Sequence, residues 1–287
     1  MTDRNGGVHS SGKRACVIGW PIKHSRSPLI HRYWLETLGL AGSYEKVAVP
    51  PDEARTFLRT LAEQGYAGCN VTVPHKEIAF DVADEKSADA VAVGAANTIW
   101  VADGRVCATN TDTYGFMTHL TTEVPDWAVR DAPVLVLGAG GAARAIVHGF
   151  LKGGVPRVLV ANRTKARADA LAAHFGPHVV PIDWDRRSSV LADAAVVVNT
   201  TTIGMKGEGS LGLDLAAART TMVVADIVYV PLETALLCEA RARGLRTVDG
   251  LGMLLHQAVP GFEIWFGQRP EVTEELRQRI VDDIERP

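Results

Sequence analysis

Apolar positions along this chain fall into short runs, and from residue 15 onward strand-like runs alternate with segments at helical spacing. The first apolar run covers residues 15–19. Ser27-Pro28 then supplies an N-cap and first helical position for a helix to about residue 38. Residues 44–49 read as a strand. Residues 52–64 read as a helix, with Ala54, Phe57, Leu58 and Leu61 on one face and Gly65 as its stop. Residues 70–73 form a further strand, ended by Pro74. Beyond residue 133 the alternation is cleaner. Strands are predicted at 134–137, 158–161, 195–198, 223–227 and 246–248, with helices at 142–151, 165–174 and 234–243 between them. This is the rhythm of a doubly wound nucleotide-binding domain. Two helices at 253–266 and 273–284 come last, with few strands left to cover in the second half, so they are expected to pack back on the first. Residues 1–13 are polar, lack periodicity and are predicted to be a flexible tail.

Composition narrows the class. The chain has 287 residues, 47% apolar and 22% charged, which excludes wholesale disorder and suggests two domains. Thirty basic against thirty-three acidic residues give a net charge of −3, so neither nucleic acid nor an anionic membrane is an expected partner. Arg144 and Asp226 interrupt the best candidates for a spanning helix. No A-x-A cleavage pattern follows the polar start. Cys16, Cys69, Cys107 and Cys238 form no CxxC pair, which argues against a disulfide framework or zinc site and for a cytoplasmic protein. The nine histidines show no metal-ligand spacing such as HExxH, and no metal is expected. The oligomeric state stays open, a homodimer included.

Val134-Leu135-Val136-Leu137 runs directly into Gly138-Ala139-Gly140-Gly141-Ala142-Ala143, a G-x-G-x-x-[GA] pattern between strand and helix. Gly138 allows the tight turn, Gly140 lets backbone approach a pyrophosphate, and Ala143 lets the helix lie on the sheet. The helix N-terminus adds unpaired N–H groups and a positive dipole. The bland alternative, a glycine-rich turn of an ordinary α/β protein, loses weight from the strands that follow. An NAD enzyme wants a carboxylate at the end of the second strand. Here that strand ends in Asn162-Arg163-Thr164, followed by Lys165 and Arg167, so cations stand where a 2′-phosphate would lie and NADP is the expected cofactor.

In the first half, polar residues gather where strands end. Ser25 and Ser27 stand two apart before a helix; Ser27 alone is most simply a cap, but the pair also suits a carboxylate. Asn70-Val71-Thr72-Val73-Pro74-His75-Lys76-Glu77 places a lysine just past a proline. Gly94-Ala95-Ala96-Asn97-Thr98 and Thr109-Asn110-Thr111-Asp112 add amides and a carboxylate. Singly, Asn97 could be a turn residue, Asp112 a helix cap and Lys76 a surface charge. Jointly they describe a pocket for a small polyhydroxylated acid.

These segments resemble the shikimate dehydrogenase family. The likeness runs in family order through Val17-Ile18-Gly19, His24 to Pro28, Asn70 to Glu77, Gly94 to Thr98, Asn110 to Phe116, Gly138 to Ala143 and Asn162-Arg163-Thr164. It continues through Asn199-Thr200-Thr201, Asp226-x-x-Tyr229-x-Pro231 and Gly250 to Leu254 with Gln257, covering residues 17 to about 266. The resemblance implies an α/β fold with an N-terminal substrate domain (14–112), a Rossmann NADP domain (113–250) and C-terminal helices (251–287) returning to the first. It implies Lys76 as acid/base beside Asp112, and Ser25 and Ser27 as holders of a carboxylate. Thr72, Asn97, Asp112, Tyr229 and Gln257 would meet substrate. Gly138, Ala139, Gly140, Gly141, Ala142, Asn162, Arg163, Thr164, Lys165, Arg167, Ile227 and Gly250 would line the cofactor. Two departures stand out. Arg32 follows His31 where the family often has Asn, and no acidic cofactor contact after Lys76 is assigned, Ala88 or Asp89 being the nearest match.

The activity implied is NADPH-dependent reduction of 3-dehydroshikimate to shikimate, on the route to chorismate and the aromatic amino acids. Lysine is ordinarily protonated at neutral pH and can act as acid in that direction. His75 neighbours Lys76 and, in extended chain, points elsewhere. The rivals are a quinate/shikimate dehydrogenase preferring NAD and a non-catalytic NADP-binding sensor. Asn162-Arg163-Thr164 counts against the first and the Lys76–Asp112 pair against the second.

Overall fold

The computed structural model describes residues 12–128 and 132–286. The expected tail lies outside them except for Gly12 and Lys13, and Lys13 already opens the first strand. Elements follow in the order β1 (Lys13–Gly19), α1 (Ser27–Thr37), β2 (Gly42–Ala48), α2 (Ala54–Arg59), β3 (Gly68–Val71), α3 (Lys76–Val82), β4 (Glu85–Lys86), α4 (Ala88–Val93), β5 (Thr98–Ala102) and β6 (Arg105–Thr109). Helix α5 (Asp112–Glu123) leads into β7 (Val134–Leu137), α6 (Gly141–Lys152), β8 (Val158–Ala161), α7 (Lys165–Phe175) and β9 (Val179–Ile182). The chain ends with β10 (Val196–Asn199), β11 (Val223–Asp226), α8 (Ala235–Ala242), β12 (Arg246–Val248), α9 (Gly250–Phe266) and α10 (Glu274–Glu285).

The strands form two sheets. The second has the order β12-β11-β10-β7-β8-β9 and is parallel throughout. Its central strands read VLVL, VLVA and VVVN and are buried along their length. Such unbroken apolar runs follow from helices covering both faces. Val134, Val136, Val158 and Val160 meet Ile146, Val147 and Phe150 of α6 on one face. Leu135, Leu137 and Val197 meet Leu237 and Ala240 of α8 on the other. Connections leave β7 in one direction and β10 in the other, so the sheet has its switch point between these neighbours.

The first sheet, β2-β1-β3-β5-β6-β4, is mixed, with β5 antiparallel to both β3 and β6. Helices α9 and α10 close over it, as expected from the strand count. Leu251, Leu255, Ala258 and Phe262 of α9 and Leu276 and Ile280 of α10 pack with Ile30, Trp34 and Leu35 of α1. The Trp265 indole N–H donates to the Ile99 carbonyl at 3.0 Å and ties the end of α9 to β5.

Several local expectations are corrected. Ser27 is the first residue of α1 and Arg26 its N-cap, with no side-chain capping bond. The Ser27 hydroxyl lies instead 3.3 Å from that of Ser25. The helix expected over 52–64 shortens to α2 because residues 60–65 continue as turns, ending where Gly65 takes φ +82°. The strand expected over 70–73 stops at Val71, and β11 ends at Asp226 rather than residue 227. Helix α9 begins at Gly250 rather than 253, capped by Asp249, which accepts from Leu251 N at 2.9 Å.

Candidate active site

Strand β1 ends at Gly19, and the loop that follows delivers Ser25 and Ser27 to the mouth of α1. Beyond β3, Thr72 and the start of α3 bring Lys76 to the same opening. Strand β5 begins just past Asn97, and α5 begins with Asp112. The Lys76 Nζ lies 2.5 Å from Asp112 Oδ2. This ion pair is largely withdrawn from solvent, the two side chains being 23% and 9% exposed. Asp112 Oδ1 accepts from Asn97 Nδ2 at 2.8 Å. Asn97 Oδ1 in turn accepts from Thr111 N at 2.8 Å and from Thr98 Oγ1 at 3.0 Å. Thr111 Oγ1 donates to the Gln257 carbonyl at 2.8 Å, joining α9 to this network.

A cavity of about 410 Å³ opens here between the two sheets. Its walls carry all eight residues for which substrate contact was implied: Ser25, Ser27, Thr72, Lys76, Asn97, Asp112, Tyr229 and Gln257. Ile227 and Gly250, implied as cofactor contacts, line the side facing the parallel sheet. Hydroxyls, amides, one carboxylate, one ammonium, the Arg26 guanidinium and the His24 imidazole thus surround a space the size of a small ring, with Ile22, Met253 and Leu254 as apolar wall.

The remaining cofactor candidates sit apart from this cavity, at the switch point of the parallel sheet. Gly138 has φ +109°, and a Cβ there would lie 2.6 Å from Thr200 Oγ1, so the tight turn requires glycine. At Gly140 and Gly141 a Cβ would meet nothing within 4 Å. No side chain caps α6, whose N-cap is Gly140, so its first-turn N–H groups face open space. Ala139 and Ala142 flank the turn, half-buried. A diphosphate fits such a cradle. At the end of β8, Asn162 Nδ2 donates to the Thr164 carbonyl at 2.8 Å and shapes the loop. Arg163 and Arg167 are exposed and make no ion pair among the described residues, whereas Lys165 pairs with Asp169 at 2.8 Å. The donor set, free guanidinium plus Thr164 hydroxyl, suits a phosphate monoester and lacks the carboxylate that would accept from a ribose diol.

Three sequence questions find structural answers. His75 is buried and its Nε2 contacts the Val49 carbonyl at 2.7 Å, away from the cavity. Asp89 contacts His148 Nε2 and Lys152 Nζ of α6, both at 3.0 Å, so it bridges the two halves. Arg32 is exposed, with Nε donating to the Tyr44 carbonyl at 3.3 Å.

The residue reading passed over Asn70. It is buried, accepts from Tyr44 OH at 2.6 Å and donates to Thr98 Oγ1 at 3.2 Å, supporting the Asn97 network from behind. Strand period two puts it on the face of Thr72, opposite Cys69 and Val71, which was the available signal. Asp226 also has no role legible in the sequence. It closes β11, accepts from Asn199 Nδ2, Val228 N and Thr234 Oγ1, and burial pushes its carboxyl up to about 6.

A parallel sheet with a glycine turn at its switch point, joined across a polar cleft to a mixed-sheet half, defines a two-domain oxidoreductase of the dinucleotide-binding class. Family comparison is more specific. Residues 17–99 match the shikimate dehydrogenase substrate binding domain, residues 120–206 match shikimate / quinate 5-dehydrogenase, and residues 250–279 match the shikimate 5′-dehydrogenase C-terminal domain. A shikimate dehydrogenase (NADP(+)) of Azorhizobium caulinodans is 58% identical over 272 residues, 95% of this chain and 97% of that one. A crystal structure of a shikimate dehydrogenase in complex with NADP+ superposes with TM-score 0.88 at 34% identity, covering 96% of each chain. The quinate dehydrogenase of Corynebacterium glutamicum in complex with NAD gives TM-score 0.86 at 31% identity, covering 94% of this chain and 99% of that one. The chain belongs to the shikimate dehydrogenase family.

Proposed function

We propose that this chain catalyses the reversible NADPH-dependent reduction of 3-dehydroshikimate to shikimate, the step that serves chorismate and aromatic amino-acid biosynthesis. The observation that carries the reading is the Lys76–Asp112 ion pair inside a cavity walled by the paired serines, Asn97 and Gln257. The 58% identity to an NADP(+) shikimate dehydrogenase supports it throughout. Residues 14–112 and 251–287, joined by Tyr229, hold the acid, and residues 113–250 hold the nucleotide. Among the described residues no helix is long and apolar enough to cross a membrane, and a cytoplasmic location goes with this reading.

Ser25 and Ser27 offer hydroxyls 3.3 Å apart, and with them the substrate carboxylate is held at the α1 entrance. Thr72, Asn97, Tyr229 and Gln257 bind ring hydroxyls and fix which face of the ring meets the parallel-sheet half. Gly138, Ala139, Gly140, Gly141 and Ala142 would hold the diphosphate of NADPH. Asn162, Arg163, Thr164, Lys165 and Arg167 would receive its 2′-phosphate, and Ile227 and Gly250 would meet its nicotinamide end. NADPH, when bound, supplies the hydride. Lys76 then donates a proton to the oxygen of the former ketone, and Asp112 holds the ammonium on target while accepting from Asn97. In oxidation the neutral amine takes the hydroxyl proton.

The test is steady-state kinetics on shikimate and quinate with NADP and NAD, together with Lys76→Ala. Lys76→Ala is expected to lose roughly 10²–10⁴-fold in kcat with a smaller change in KM. A defect confined to KM would make Lys76 a binding residue, and preference for quinate with NAD would overturn the substrate and cofactor assignment.

A further inference from the structure

Beside the cavity, on the outer side of Ser25, lies a groove of about 670 Å³ between α1, β2 and the end of α10. It shares His24, Ser25 and Arg26 with the cavity, so the two openings meet at the serine pair. Its charge is lopsided. Lys23, Arg26, Arg32, Lys46 and Arg286 line it against only two carboxylates, Glu45 and Asp283. Both carboxylates are engaged. Asp283 pairs with Arg26 at 2.8 Å, and Glu45 pairs at 2.8 Å with Arg14, which is not part of the groove. Arg14 and the Tyr66 hydroxyl hold the Glu45 carboxyl below its usual range.

Lys23, Arg32 and Lys46 are exposed and make no ion pair with a carboxylate among the described residues. Two of them are held in place. Lys46 Nζ donates to the Lys23 carbonyl at 2.7 Å, in the loop that delivers the serines, and Arg32 Nε donates to the Tyr44 carbonyl at 3.3 Å. The protein as a whole carries a net charge of −3, so this positive groove stands against the general field. A concave surface lined by one sign of charge raises the local concentration of the opposite ion.

We propose that this groove is a capture site for the substrate carboxylate, drawing a small carboxylated ring from solvent and passing it to Ser25 and Ser27. The proposal rests on the assignment of shikimate as substrate. Lys23, Arg32 and Lys46 act on the free anion more than on the bound one, because the seated carboxylate is held by the hydroxyls. They therefore change KM and leave kcat unaltered.

The experiment compares the wild type with a Lys23→Gln/Arg32→Asn/Lys46→Gln variant at saturating NADP. Shikimate and its uncharged methyl ester are the two substrates, at ionic strengths from about 0.01 M to about 0.3 M. Over that span the screening length falls from about 30 Å to below about 8 Å. The wild type is expected to lose kcat/KM for shikimate severalfold as salt rises. The variant should start about three- to tenfold lower at low salt, show little salt dependence, and keep kcat, the KM for NADP and the melting temperature. The ester should show no salt slope with either protein. A variant with the wild-type KM and salt slope would overturn the proposal, as would an ester that follows the acid. Absence of shikimate turnover by the wild type would instead overturn the functional assignment, so the two failures are distinguishable.

Discussion

Asn97 shows how a single amide can set the chemistry of its neighbour. Its Oδ1 accepts from the Thr111 backbone N–H and the Thr98 hydroxyl, so its amino group must turn toward Asp112 Oδ1. Asn97→Ala removes one hydrogen bond to a charged group, worth about 1.5–3 kcal/mol, and kcat/KM for shikimate should fall roughly 10- to 100-fold. Asn97→Asp has nearly the same shape but puts a second carboxylate against Asp112, and its loss should be larger than that of the alanine variant. Kinetics of the two variants side by side check this, since an aspartate variant as active as the alanine one would mean that the amide is not held this way round. At the cofactor end, Arg163→Ala should raise the KM for NADP by one to two orders of magnitude, again about 1.5–3 kcal/mol, and leave that for NAD nearly unchanged. Equal losses for both cofactors would make Arg163 a structural residue.

At the scale of elements, the contact between α5 and α9 joins the two halves. A Cβ on Gly252 would lie 2.1–2.2 Å from the His119 ring, so the helices approach as closely as they do only because residue 252 has no side chain. Gly252→Ala should destabilise the protein by about 1–3 kcal/mol, read as a lower denaturation midpoint, and adding His119→Ala should recover part of that. No recovery in the double variant would place the strain elsewhere. Gly252 belongs to the Gly250 to Leu254 stretch of the family likeness, but nothing in the sequence points to its contact with His119, because packing across 133 positions leaves no local pattern. What the sequence did reveal follows the same logic. Strands β7 and β8 carry their observed bounds in the sequence, since strands buried on both faces are unbroken apolar runs. Strand β12, a half-buried edge strand of sequence RTV, matches its expected bounds without such a run. The hairpin of β5 and β6 was passed over, although Asp103-Gly104 is a strong turn signal and both residues take positive φ, +52° and +73°. Helices α3 and α4 are only 7 and 6 residues long, too short for periodicity to speak, and β9 is a half-buried strand interrupted by Pro181. The residues at the cavity were legible as types at strand ends. Their meeting was not, since Lys76 and Asp112 are 36 positions apart and Asn97 and Gln257 are 160 apart.

For the molecule as a whole, the buried histidines make stability depend on pH. His31 lies flat against Tyr44, ring centroids 3.9 Å apart, and burial lowers it from 6.5 to about 3. His119 is lowered from 6.5 to about 4, chiefly by burial, with Asp249 pulling the other way and His256 and Arg277 adding to the depression. His256, half-buried, is shifted in the same direction by burial. A histidine whose folded value is depressed binds its proton more readily in the unfolded chain. Its contribution is therefore intact above pH 6.5 and is lost as pH falls toward the folded value. Asp226 acts in the opposite sense, because its folded value of about 6 lies above the usual 3.8, so the folded state takes up that proton first. Near pH 5 the unfolded chain gains at least two histidine protons and the folded chain one carboxyl proton. Stability should then fall by about 1 kcal/mol per pH unit between pH 6 and 5. His119→Gln takes most of one of these protons out of the difference and should lower that slope by about 1 kcal/mol per pH unit, whatever its effect at pH 7.5. Urea denaturation midpoints at pH 7.5, 6 and 5 for the two proteins measure the slopes directly. An unchanged slope in the variant would mean that His119 is protonated as readily between α5 and α9 as it is in the unfolded chain.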